Sequence, residues 1–255
     1  MDLIIKALGP IAHGDMSTSN SYGAYMNFRR LPFIHNGKII EVPVISGNSI
    51  RSTLRRCLTR EFIDSIALEK KLSPSTYDRF YRAIACGGNL EKEIDRTISP
   101  TRLREIRTLI PMLSCFGAAL YRYMLSGVVN TGFAILKCAE LGNAELRIAD
   151  QLTDVGMVKN PSLPDVSPMP HNTESIVPGA QFTCEITFAP QTTEVEKSCL
   201  LHGLSLIEVV GGQSSRGFGR VAISPAPFDD ALYIEWLRNI SDEQIKSIVA
   251  FAEEL

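Results

Sequence analysis

No apolar run in this 255-residue chain approaches the roughly 18 residues that a membrane span requires. The opening stretch MDLIIKALGP is too short and too lightly charged for a signal peptide. Six cysteines (Cys57, Cys86, Cys115, Cys138, Cys184, Cys199) stand singly among apolar neighbours, with no C-x-x-C pair. That excludes the usual zinc frameworks and leaves them as reduced core residues of a cytoplasmic protein. The four histidines are dispersed as well, so neither a metal nor another cofactor is expected. No repeat with a period of 20 to 50 residues is visible. With 45% hydrophobic and 21% charged residues the composition excludes disordered, fibrous and membrane classes.

A net charge of -2 also lacks the excess that marks a strongly basic or acidic chain, but the charge is unevenly placed. Residues 1 to 60 hold eight basic and three acidic side chains, whereas the last 35 residues hold two basic and seven acidic ones. A basic face and an acidic face suit an anionic partner on one side and a basic neighbour on the other.

DLIIKAL reads as a short buried strand, and the stretch after Gly9-Pro10, rich in small and polar residues, as a long loop. RLPFIHNGKIIEVPVI places two apolar runs around Asn36-Gly37, which predicts a hairpin. From Ile50 the period changes to helical, with Ile50, Leu54, Cys57 and Leu58 on one stripe and helix expected to about Leu68. Residues 73 to 109 read as mostly helical around a Gly87-Gly88-Asn89 break. Four prolines within 151 to 175 argue against regular structure there and predict an insertion or exposed arm. SIVPGAQFTCEITFAP returns to strand alternation, EKSCLLHGLSLIEVVGG to helical spacing, and the acidic C-terminal segment is again helical. Strands and helices mix without regular βαβ alternation, so the expected class is α+β with a ferredoxin-like core.

Two stretches are built for an anion. In VPVISGNSIRSTLRR, small residues open a helix whose N-terminal N–H groups favour negative charge, with Arg51 and Arg55 on one flank and Arg56 and Arg60 on the other. A solvated helix face is the ordinary use of such arginines. GGQSSRGFGRV puts four glycines in nine residues beside Arg216, Phe218 and Arg220, which lets backbone approach a ligand closely. It lacks the lysine of a phosphate-binding P-loop and runs into a strand, not a helix. A tight structural turn is its plain alternative.

VISGNSIRSTLRR, LSCFGAAL, ESIVPGAQFTCEI and GGQSSRGFGRV, in that order, resemble the strand-turn-helix segment, Leu-Phe-Gly turn, Val-Pro-Gly strand and glycine-rich loop of RAMP-superfamily CRISPR proteins. Within that superfamily the chain is most similar to the Cas seven-type backbone subunit, of type IV-like or type III-like systems. The resemblance implies one RRM-like domain over 1–255, with a mostly helical insertion at 69–110 and a thumb-like insertion at 151–175. It implies head-to-tail stacking along a guide RNA (crRNA) that pairs with target DNA or RNA, alongside further copies of the chain and other effector subunits. The RNA-contacting set it implies is Asn48, Ser49, Arg51, Arg55 and Arg56 at the turn and helix. Gly212, Gln213, Ser214, Ser215, Arg216, Gly217 and Phe218 in the loop complete it, with His13, Met157 and Val158.

Ser46 replaces the family's proline before the turn glycine, and Ser52 replaces a glycine. Target-cleaving type III relatives carry an aspartate before the first hairpin, whereas no carboxylate lies between Asp15 and Glu41 here. Activating an attacking 2'-hydroxyl needs such a group, so no target cleavage is expected unless Asp15 substitutes. The enzyme alternative is a Cas six-type guide-processing endoribonuclease, with His13, or by position His35, as general acid or base. An unrelated single-stranded RNA-binding domain is the third reading. Tyr25 and Phe28 are candidates for base stacking, though local packing is the commoner use.

Overall fold

The computed structural model describes residues 1–14, 25–90, 98–121, 123–142, 146–159 and 170–255. In chain order the strands and helices are β1 (Asp2–Ala7), β2 (Tyr25–Met26), β3 (Arg30–His35), β4 (Lys38–Ile45), α1 (Gly47–Ser65), α2 (Pro74–Tyr81), β5 (Gly88–Leu90), α3 (Pro100–Leu109), α4 (Pro111–Phe116), β6 (Ala118–Tyr121), β7 (Tyr123–Leu125) and β8 (Val129–Leu136). After them come β9 (Thr153–Lys159), β10 (Pro170–Ile176), β11 (Gln181–Phe188), α5 (Glu194–Ser205), β12 (Val221–Ser224), α6 (Ala231–Arg238) and α7 (Asp242–Glu254). The protein is therefore of mixed α and β structure, with an antiparallel sheet. Its residues group into two compact units, the first from Met1–Ile50, Gly132–Glu185 and Glu208–Pro225, the second from Arg51–Thr131, Ile186–Ile207 and Ala226–Leu255.

The first unit is built on a six-stranded sheet of order β12-β1-β11-β8-β4-β3. In β1 every second residue is buried (Leu3, Ile5, Ala7), and antiparallel pairing sets Leu3 against Cys184 and Ile5 against Phe182, so one face of the sheet is apolar. The expected hairpin is present: Asn36 and Gly37 both have positive φ (49° and 74°), as a two-residue turn with matched twist requires.

Residues 151 to 175 differ from expectation, because β9 and β10 pair antiparallel from Thr153↔Ile176 to Lys159↔Pro170, with β2 parallel on the far side of β10. Pro170 opens its strand, where the missing N–H is tolerated. The other three prolines fall within 160–169, outside the described residues. Prolines crowded between Lys159 and His171 in the sequence thus disguised two regular strands.

In the second unit Leu54, Leu58 and Phe62 form the buried stripe of α1. Four of its helices begin on side-chain caps: Ser73 accepts from the Thr76 N–H before α2, and Ser99 from the Arg102 N–H before α3. Thr193 with Glu196, and Ser241 with Gln244, form capping boxes for α5 and α7. Phe62 and Tyr233 each stack on Trp236, with ring centroids 6.3 and 5.7 Å away. A small sheet β5-β6-β7 completes the unit. Cys115, Cys138, Cys184 and Cys199 are buried, Cys57 is half-buried and Cys86 exposed, all as free thiols. Among the described residues no helix is long and apolar enough to cross a membrane.

Candidate nucleic-acid interface

Three stretches singled out in the sequence meet in the first unit around residues 10–14. Ser46 caps α1, its Oγ accepting the N–H of Ser49 at 3.3 Å. That leaves the N–H groups of Gly47 and Asn48, the first of the helix, without an intrahelical acceptor. The Ser46 N–H in turn donates to Nε2 of His13 at 3.1 Å. On the other side of the same segment the glycine-rich loop is sewn down by two backbone bonds, Gly212 N–H to Ala12 O and Gly219 N–H to Pro10 O, both 2.7 Å. The loop also reaches the arm, since Nε2 of Gln213 donates to Oγ1 of Thr173 on β10 at 3.2 Å.

The loop's glycines do different work. Gly211 has φ of +85°, and a Cβ there would lie 2.4 Å from the Ala12 carbonyl oxygen, so only glycine permits this approach. Gly217 also needs positive φ (+83°), but a Cβ there would meet open space. In this loop Ser214, Ser215, Arg216 and Gly217 are exposed and Phe218 half-buried. The loop thus presents one guanidinium, two hydroxyls and accessible backbone from an anchored base. Asn48 is exposed and Ser49 half-buried at the helix start.

The arginines of α1 are placed differently from one another. Arg55 is only 9% exposed. Its Nη2 donates to the carbonyl oxygens of Phe116 and Gly117 at 2.8 and 2.6 Å, and Arg51 donates to the Phe116 oxygen as well. Together they satisfy the C-terminal end of α4 within the second unit. Burial pushes the Arg55 pKa down to about 10, helped by the like charge of Arg51 and opposed by Cys86. Burial alone lowers that of Arg51. Gly87 makes the room, since a Cβ on it would come within 2.3 Å of the Arg55 guanidinium. Arg56 is exposed.

Phe28 is a core residue, 2% exposed, stacked on Phe182 at 6.5 Å and met edge-on by His13 at 6.0 Å, so it packs locally and offers no base platform. The backbone of Met157 and Val158 lies in β9, opposite Asn172 and His171. His35 ends β3, opposite Lys38, and the backbone of Tyr25 opens β2. Asp15 lies outside the described residues.

The sequence reading missed the acid that roots the arm. Glu174 on β10 is 7% exposed. It accepts the Phe28 N–H at 2.7 Å through one oxygen and the Arg30 guanidinium through the other, while Arg30 also pairs with Asp150 at 3.2 Å. Burial works against the charge of Arg30, but the two carboxylates outweigh it and raise its pKa. Residues 173 to 176 are all buried, so no alternation in the sequence marks Glu174 as an acid in need of a cation. In the second unit, Glu61 and Asp230 grip both ring nitrogens of His202 at 2.7 Å. No local motif announces that cluster.

With this geometry the chain can be set beside known proteins. No protein-family model and no curated protein matches it. Among solved structures, a chain of a type IV-B CRISPR complex aligns over 90% of this chain and 95% of its own length, with TM-score 0.61 and 22% identity. The protein shares the fold of a CRISPR-complex subunit. Csc2 of Thermofilum pendens aligns over 99% of this chain and 75% of its own, at 16% identity and a TM-score of 0.44, too low to bear on the fold.

Proposed function

We propose that this CRISPR-fold protein is a guide-RNA-binding backbone subunit of a multisubunit effector. It polymerises head to tail along the crRNA in the cytoplasm, beside other effector subunits, and presents the guide for pairing with target DNA or RNA without cutting the target. The observation that carries the reading is the convergence of the α1 N-terminus and the glycine-rich loop on residues 10–14, which sets unpaired helix N–H groups and Arg216 in one unit. Phosphates recognised in this way position a strand without reading its sequence.

The order β12-β1-β11-β8 supports an RRM-like core. In the chain α1 lies between β1 and β8, and α5 between β11 and β12, which is the split βαβ pattern. Phosphate contact falls to Asn48, Ser49 and the loop from Gly212 to Phe218. Arg55 serves the protein's own backbone and Arg51 largely does too. His13 holds the turn through Nε2, a role that argues against general-base duty in a guide-processing nuclease.

The experiment is single-stranded RNA binding by fluorescence anisotropy over a salt series. Affinity is expected to be independent of sequence and to fall steeply with salt, with the RNA intact in magnesium or manganese. Arg216→Ala should flatten the slope of log K against log salt by about 0.7, one contact's worth. Salt-insensitive binding, or regularly spaced cuts in paired target RNA, would contradict the proposal.

A further inference from the structure

An open pocket of about 560 Å³ lies on the second unit, lined by none of the residues assigned above to the guide. Its volume falls within the roughly 300–1,000 Å³ typical of small-ligand sites. Arg104 and Arg107 line it from α3, Gln191 and Val195 from the entry to α5, Val128 from the approach to β8, and Trp236 from α6.

Charge separates these two arginines from their neighbour. Arg102, two residues before Arg104, is neutralised by Glu105 at 3.0 Å and Glu254 at 2.8 Å. Among the described residues neither Arg104 nor Arg107 forms an ion pair. Arg107 is held in place by neutral acceptors, the Ser114 hydroxyl at 2.9 Å and the Ser126 carbonyl at 2.7 Å. Glu196, which also lines the cavity, is committed to the Thr193 N–H at 2.7 Å. The lining therefore holds two guanidiniums against the single carboxylate of Glu196, a net positive charge. The same lining includes an apolar wall of Val128, Val195 and Trp236, the indole fixed by its stacking on Phe62 and Tyr233.

A ligand that uses both the guanidiniums and the apolar wall has an anionic group joined to a flat, weakly polar body. We propose that this cavity binds a single nucleotide, its phosphate on Arg104 and Arg107 and its base along the apolar wall, with the Gln191 amide within the same lining for the base edge. Two guanidiniums favour phosphate through paired charge-assisted hydrogen bonds, and a base buried against aliphatic and aromatic carbon supplies the remaining affinity. An acidic peptide would satisfy the arginines but leave the apolar wall without a partner. The inference does not rest on the guide-RNA reading, which concerns residues of the other unit and is tested through Arg216.

Trp236 is the only tryptophan in the sequence, so its emission reports on the cavity. Full-length protein should be titrated with AMP and UMP, and separately with adenosine, inorganic phosphate and a hexaglutamate peptide. Both nucleotides are expected to change the emission saturably, with adenosine and inorganic phosphate each at least about tenfold weaker. Arg104 is exposed, so Arg104→Glu should leave thermal melting unchanged while weakening AMP binding about tenfold or more. No saturable response, equal binding by Arg104→Glu, or inorganic phosphate binding as tightly as AMP would overturn the proposal. Hexaglutamate displacing AMP at equal concentration would overturn it too, giving the surface to an acidic protein segment.

Discussion

The guanidinium of Arg55 donates to the carbonyl oxygen of Gly117 at 2.6 Å, sixty-two residues along the chain. The same nitrogen bonds the Phe116 oxygen, so one buried side chain closes the end of α4 and fixes the turn that follows. That turn is the Leu-Phe-Gly element whose place in the sequence resembled the CRISPR family. Arg55 is thus a residue of the fold, although its sequence context is that of a phosphate ligand.

Arg55→Ala should accordingly cost about 2–3 kcal/mol of stability, because it strips a charged donor from two carbonyls, leaving that of Phe116 to Arg51 alone and that of Gly117 without its side-chain donor. Lysine should restore little, since a single ammonium does not reproduce the guanidinium's reach to two acceptors. Chemical denaturation of both variants beside Arg216→Ala checks this. The Arg216 variant should unfold like the wild type, because its side chain is exposed. Equal stability of Arg55→Ala and wild type would return Arg55 to the list of phosphate ligands.

His202 sets a second test, of pH. Its pKa lies above the ordinary 6.5 chiefly because it bonds Glu61, with burial opposing and Asp230 adding to the effect. A raised folded-state value means that this stabilisation is complete below pH 6.5 and is lost as pH rises through the folded pKa. The stability difference between wild type and His202→Gln should therefore be larger at about pH 6 than at about pH 9. A difference that is flat, or that grows with pH, would show that the imidazolium is not what Glu61 and Asp230 hold.

What the sequence made legible was local. Asn36-Gly37 announced a turn because few other residues accept positive φ twice in succession. Ser99-Pro100 and Thr193-x-x-Glu196 are helix starts of the same local kind that the sequence reading passed over. The glycine-rich loop reads as a place where backbone meets a ligand, whereas at Gly211 the close approach is to the protein's own Ala12 carbonyl, the structural use of such a turn. What stayed hidden depended on partners distant in the chain. Nothing near Arg55 says that its flank of the helix faces Phe116 instead of water. Glu174 is separated from Phe28 by 146 residues and His202 from Glu61 by 141, so neither contact leaves a pattern within a sequence window. The β9–β10 pair was concealed for another reason, the prolines crowded between Lys159 and His171.

The register of that pair allows the arm to be shortened without disturbing its root. Gly156 lies opposite Thr173, so residues 157 to 172 can be replaced by Asn-Gly, a two-residue turn suited to this antiparallel geometry. The root bonds of Glu174 to Phe28 and Arg30 remain. The trimmed protein should stay folded and bind RNA with similar salt dependence, but fail to form ordered rows on it. Rows with wild-type spacing would remove the arm from any role in assembly.

Electron microscopy of the wild-type protein with and without a guide RNA tests the central claim most directly. A heterologous interface that does not close generates an open filament, and the basic first 60 residues and acidic last 35 offer complementary charge for it. The account predicts single particles without RNA and, with it, rows of regularly spaced copies whose length follows that of the RNA. RNA-bound particles that remain single whatever the RNA length would contradict it.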